Sequence, residues 1–403
     1  MVGGGDCGRE LASILPSVAI MTDDTALQPF TLDIPQTQIE DLQARLAAAR
    51  WPDQLPDVGW SQGPPVPEIQ TLAEHWRSGY DWRTHEARLN EYPQFTTEID
   101  GQRLHLVHVR SPEPDALPLV LVHGWPGSPV EFEAMIGPLT DPRAHGGDPA
   151  DAFHLVIPTL PGFGFSGPTR AVGQASTERS AELIAALMER LGYERYGAQG
   201  GDAGSFIAPQ LGRLHPERVA GVHVNALITI PPWDTDGSDF SPADQEKLAE
   251  LNDWSSSSTS GYAAIQSTRP QSLAYGLTDS PVGLLGWIAD IFHIFTNPAH
   301  QRIADAVDVD DFLTNLSLMY FTGTVGSSMR LYTEGDQWGA ALLASGVPTA
   351  CAVFPGDSTI RAIAQQQNNL VRWTEFDRGG HFAALEAPDL LVADLREFFT
   401  SLR

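Results

Sequence analysis

The chain has 403 residues, with 51 Asp and Glu against 24 Lys and Arg, so its formal charge of −27 would repel nucleic acid or an anionic membrane surface. Hydrophobic residues make up 42% and charged residues 19%, a globular rather than a disordered composition, at a length suited to one large domain with an insertion or to two or three ordinary ones. The two cysteines, Cys7 and Cys351, allow one disulfide but exclude a disulfide framework or a cysteine zinc site.

In chain order, residues 1–28 read as a leader. The apolar run 11–21 spans about a dozen residues where a membrane span needs roughly 20, and it carries Pro16 and no clear cleavage site. No membrane anchor is expected, which points to the cytoplasm. From 29 to 94 the text is rich in Pro and Trp and lacks strand patterns. The spacing predicts a helix over 35–50, with Ile39, Leu42 and Leu46 on one face and Trp51-Pro52 ending it. A second helical pattern surrounds Ile69, Leu72 and Trp76. Such a meander is expected to wrap over a neighbouring domain.

From 95 the texture changes. Segments 95–99 and 103–109 alternate around Asp100-Gly101, a hairpin signal. Short continuous apolar runs at 117–122 and 155–158 read as strands buried on both faces. A helix over 177–191, a strand over 195–199, a helix from Ser205 and a strand over 219–224 follow. Further strands are expected over 349–354 and 371–376, with a last helix over 388–401. Alternating strands and helices imply an α/β fold with a mostly parallel sheet covered on both faces, built from 95–226 and 346–403. Between 227 and 345 the rhythm lapses into helical and loop text, which reads as a helical lid inserted into that core.

Three loops carry the chemistry. Gln199-Gly200-Gly201-Asp202-Ala203-Gly204-Ser205, between a strand and a helix, has the small-x-nucleophile-x-small pattern of the α/β-hydrolase elbow, with Asp in the nucleophile slot. Taken alone, it equally fits a helix cap after a glycine loop, and the missing Lys argues against a phosphate loop. His123-Gly124-Trp125-Pro126-Gly127 follows the strand 117–122, where this fold places one oxyanion N–H, so Trp125 and Ala203 are the expected backbone donors. Arg378-Gly379-Gly380-His381-Phe382 puts a histidine after a late strand, and Phe354-Pro355-Gly356-Asp357 puts an acid after the preceding one. Pro-Gly-Asp is also ordinary turn chemistry. The order Asp202, Asp357, His381 matches nucleophile, acid and base in this fold.

Together, His123-Gly124-Trp125-Pro126, the Asp202 elbow, the Asp357 turn and Gly379-Gly380-His381-Phe382-Ala383-Ala384-Leu385-Glu386 resemble the microsomal-type epoxide hydrolases, over roughly residues 29–402. The resemblance implies that Tyr262, in Ser260-Gly261-Tyr262-Ala263, and Tyr332, in Arg330-Leu331-Tyr332-Thr333-Glu334, are proton donors from the lid. The family more often has Trp after the nucleophile, where this chain has Ala203.

The implied chemistry is coherent. A carboxylate is ionised without a base, attacks an epoxide carbon and leaves an alkyl ester. Two phenols protonate the departing oxygen, and His381, oriented by Asp357, activates a water that hydrolyses the ester to a vicinal diol. Should Asp357 not fill the acid role, Glu334 is the next candidate. No metal or cofactor is required; the partners are a small epoxide and water, and a homodimer stays open. A serine esterase would need Ser at 202. A haloalkane dehalogenase shares the Asp nucleophile but needs fixed N–H donors for halide, often an indole that Ala203 removes. A non-catalytic binding protein on this fold would predict a degraded constellation, whereas all slots are filled. Trp254, Trp287, Phe292, Phe295 and Tyr320 are expected either to line an apolar cavity or to form lid core. The resemblance allows detoxification of aryl and alkyl epoxides or tailoring of bulky natural-product epoxides, enediyne polyketides included, and the lack of an anchor favours the second.

Overall fold

The computed structural model describes residues 26–232, 235–335 and 344–403. The leader expected at 1–28 falls almost wholly outside the described residues, as does Cys7; Cys351 is buried in a strand.

Nine strands form one sheet: β1 (Gln28–Phe30), β2 (Gln94–Ile99), β3 (Gln102–Val109), β4 (Leu117–Val122), β5 (Phe153–Pro158), β6 (Tyr196–Gly201), β7 (Val219–Asn225), β8 (Ser345–Val353) and β9 (Asn368–Glu375). Their order is β1-β2-β3-β5-β4-β6-β7-β8-β9, antiparallel as far as β5 and parallel from β5 to β9. The β2–β3 hairpin turns on Asp100 and Gly101, whose φ values of 51° and 76° suit a two-residue primed turn. β4 is buried along almost its whole length because helices cover both faces, which is why its sequence runs apolar without alternation.

The strand pattern missed one element. β1 is three residues long with Pro29 at its centre, and it pairs only with β2. An edge strand can hold a proline because one of its sides needs no N–H. The helix expected over 35–50 forms over Gln36–Ala47, and the second forms over Val66–Glu74 and widens into a π-turn at His75–Gly79. These segments grip the lid helix Val309–Thr322. The Trp76 indole donates to Ser317 Oγ (2.9 Å), the Tyr80 hydroxyl meets Thr314 Oγ1 (3.0 Å), and Arg88 pairs with Asp311 at 2.6 Å. Among the described residues, no helix is long and apolar enough to cross a membrane.

Away from the loops, a charged cluster ties the last helix, Pro388–Thr400, to the sheet. The Asp394 side chain, 1% exposed, accepts from His223 Nε2 at 2.9 Å, from Arg372 at 2.6 Å and from Thr374 Oγ1 at 2.8 Å. Burial alone would raise its pKa, but the hydrogen bonds and charges of His223 and Arg372 outweigh it and hold the carboxyl at about 2. Asp394→Ala is therefore expected to cost about 3–5 kcal/mol of stability, the usual loss when one partner of a buried pair is removed. Urea denaturation measures it. Because the folded pKa is depressed, this contribution is present above the ordinary carboxylate range and is lost as pH falls towards 2.

Candidate active site

β6 ends at Gly201 and the helix Gly204–Leu214 begins three residues later, so the chain must reverse over Asp202 and Ala203. Asp202 takes φ 54°, a left-handed conformation that non-glycine residues rarely adopt and that lifts its side chain above the sheet. The turn also needs close approach to β4. A Cβ at Gly204 would lie 2.2 Å from the Val122 carbonyl oxygen, so no other residue fits there without movement.

The loop after β4 aims a backbone donor at this turn. Trp125 N–H donates to Asp202 Oδ1 at 2.9 Å, and the Ala203 N–H also bonds the carboxylate. His381 Nε2 lies 3.3 Å from Asp202 Oδ2, with the two side chains 13% and 21% exposed, so the pair is shielded from bulk water. Burial opposes ionisation of Asp202, but the His381 hydrogen bond and charge and the two N–H donors hold its pKa below the usual range. Burial likewise pushes His381 down, and the Asp202 and Asp357 carboxylates more than offset it, leaving the imidazole above its ordinary value. Both shifts favour an ion pair in the resting site.

Tyr262 lies in the first turn of the lid helix Gly261–Thr268, and Tyr332 lies in Arg330–Glu334. The lid folds these segments, 70 residues apart in sequence, onto Trp125: its ring stacks on Tyr262 at 6.2 Å and meets Tyr332 edge-on at 5.7 Å. The two tyrosine rings are 6.0 Å apart and their side chains are hydrogen-bonded to each other. Burial is the main influence driving both phenol pKa values upward, followed by the charge of Asp202 for Tyr262 and by Tyr262 and then Asp202 for Tyr332, so both stay protonated over the working range.

Asp357 is buried at the turn after β8. One oxygen accepts the Phe354 N–H at 2.9 Å, and the group couples to His381 by charge. Glu334 is engaged elsewhere, accepting the Ala175 N–H at 2.6 Å. Of the lid aromatics, Phe295 reaches the site, with its ring 5.9 Å from Tyr262 and 5.0 Å from His381. Phe292 is core, stacked on Phe382 at 4.2 Å, while Trp287 bonds Gln266 and Tyr320 packs on Trp76. A separate apolar cavity between the meander, the sheet edge and the lid, walled by Leu32, His105, Phe165 and Met319, contains none of the candidate residues.

Sequence reasoning gave Glu386 no role. Its oxygens accept the N–H groups of Asn297 (3.0 Å) and Phe382 (3.1 Å), and Asn297 Nδ2 donates to the Gly379 carbonyl at 2.7 Å. This joins the end of the lid helix Pro281–Phe295 to the histidine loop, and burial pushes the carboxyl up to about 7. A lone acid ending the apolar stretch Phe382-Ala383-Ala384-Leu385 was the available signal.

Residues 27–132 match the family model described as epoxide hydrolase N terminus, and residues 118–256 match that of the α/β hydrolase fold. A relative from Stigmatella aurantiaca (strain DW4/3-1) is 42% identical over 382 residues, which cover 94% of this chain and 86% of its own length. Epoxide hydrolase 1 of Sus scrofa is 33% identical over 407 residues, covering 93% of this chain and 89% of that protein. Among solved structures, the juvenile hormone epoxide hydrolase of the silkworm Bombyx mori is similar with a TM-score of 0.85 and 29% identity, over 94% of this chain and 96% of that one.

Proposed function

Because the chain belongs to the epoxide hydrolase family on the α/β-hydrolase fold, we propose that it opens its epoxide through a covalent ester on Asp202. The observation that carries this reading is the placement of the Asp202 carboxylate between two backbone N–H donors and His381, with two hydrogen-bonded phenols packed on the same Trp125.

An Asp202 oxygen attacks an epoxide carbon; the new C–O bond forms as the ring C–O bond breaks, and the ring oxygen takes a proton from Tyr262 or Tyr332. Alkylation neutralises Asp202, which removes the largest influence holding the His381 pKa up. Burial then pulls the imidazole pKa down, and the proton it gives up restores the phenol that protonated the ring oxygen. The nucleophile thus switches on its own general base. His381 takes a proton from water as the water oxygen bonds Asp202 Cγ, and the oxyanion sits against the Trp125 and Ala203 N–H groups, each worth roughly 2.7–4 kcal/mol. On collapse the His381 proton passes to the departing oxygen, releasing the vicinal diol, and the Asp202 carboxyl returns its proton to His381. Asp357 acts as the acid that orients His381 and supports its positive charge.

The aromatic rings of Trp125, Tyr262, Phe295 and Tyr332, packed on one another beside Asp202 and His381, favour a bulky apolar or aryl epoxide. A single turnover in ¹⁸O-water tests the mechanism. The diol is expected to carry an unlabelled oxygen from Asp202 while the label enters the Asp202 carboxyl, read by peptide mass spectrometry. Label appearing in the diol in the first turnover would mean that water attacks the epoxide directly.

A further inference from the structure

Ester hydrolysis needs a water at the Asp202 carbonyl carbon while the bound alkyl group fills the lid side. A small cavity lies on the other side, lined by Asp202, His381, Asn225, Phe132 and Glu131, with about 20 Å³ open to the centre of a water. About 10–15 Å³ is enough to hold one. Glu131 enters it from the turn Pro129–Phe132, just after the oxyanion loop. Its Oε2 occupies the place of a side chain on residue 127, since a Cβ at Gly127 would come within 2.3 Å of it. Among the described residues, no hydrogen bond or ion pair engages the Glu131 carboxyl. The mechanism above does not use this group.

We propose that Glu131 is the positioning residue for the hydrolytic water, held in this cavity between its carboxyl and His381. The inference rests on the covalent mechanism. Burial, then the charge of Asp202, pushes the Glu131 pKa well above the usual range, which favours its neutral form. A neutral carboxyl suits the task. Its carbonyl oxygen accepts one hydrogen of the water, His381 Nε2 accepts the other, and a lone pair is left for Asp202 Cγ. The proton that leaves goes to His381, the C–O bond forms at Cγ, and Glu131 ends the step unchanged. An ionised carboxylate at this place would repel the oxyanion. Glu131 and Ala384 also line an open groove on the protein surface beside Arg88 and Glu133, so the water is replaced from behind the nucleophile rather than past the substrate.

Rapid-quench mass spectrometry separates the two steps, with styrene oxide or another epoxide that the wild-type enzyme turns over as the probe. Glu131→Leu is expected to slow ester hydrolysis on the order of 10²-fold, the scale of a misplaced reactant, with the loss confined to that step and the ester accumulating. Glu131→Gln, whose amide oxygen accepts the same hydrogen, is expected to recover most of the rate. Should Glu131→Leu fail to fold, Gly127→Ala drives a methyl group into the carboxyl's place and should produce the same split. Hydrolysis at the wild-type rate in Glu131→Leu, an equal fall in both steps, or a Gln variant as slow as Leu would each overturn the proposal. No ester in the wild type or any variant would instead overturn the covalent mechanism.

Discussion

His381→Gln is expected to stop turnover with the substrate still attached to Asp202. The nucleophile is ionised by its own surroundings, so it can alkylate without a base, whereas the water that releases the ester cannot attack undeprotonated at a useful rate. Loss of a general base costs roughly 10²–10⁴-fold, and here the cost falls on the second step alone. Denaturing mass spectrometry should show an added mass equal to the substrate, located on Asp202, while Asp202→Asn shows none. Asp357→Ala should show the same ordering more mildly, with ester hydrolysis slowed more than ester formation. The pH profile carries a sign that can be checked. In the free enzyme the ion pair raises the His381 pKa, and in the ester that partner is gone, so the acid limb of ester hydrolysis should lie at lower pH than the His381 titration seen by NMR in the resting enzyme. Bound substrate without any adduct would rule out the covalent route.

The double variant Tyr262→Phe/Tyr332→Phe is expected to lose nearly all alkylation while keeping its fold. An alkoxide is a poor leaving group, and each phenol supplies a proton or hydrogen bond to it; general acid catalysis of this kind contributes roughly 10²–10⁴-fold. Each single variant should retain part of the rate, because the two side chains are hydrogen-bonded and either can reach a shared oxygen. Both rings keep their packing against Trp125 when only the hydroxyls are removed, so a circular dichroism spectrum and melting curve like those of the wild type are expected. Stopped-flow alkylation under single-turnover conditions is the measurement. Wild-type ring opening in the double variant would place the acid elsewhere.

The loops with chemistry were legible in the sequence because each obeys a local rule. The Asp202 turn needs small residues around a residue held at positive φ, the Trp125 loop follows a strand that reads as buried, and His381 stands after a late strand. Strand and helix order is equally local, and the α/β-hydrolase fold follows from it. Other features depend on contacts between distant segments. The three-residue β1 has no periodicity of its own and exists through pairing with β2. Tyr262 and Tyr332 stand out only by resemblance, since nothing within 70 residues of intervening lid text requires their rings to meet. Phe292 and Phe295, three positions apart on one helix, look alike in sequence, yet one packs in the core and the other against His381. Glu131 had no role in the sequence, and Glu386 only its place at the end of an apolar stretch, because removal from water depends on what packs there and not on the residue's own neighbours in the chain. Sequence alone determined the order of strands and helices and which loops between them carry candidate reacting groups. Packing decided which carboxyls are drawn out of water and which charges face them, and so in which direction each pKa moves.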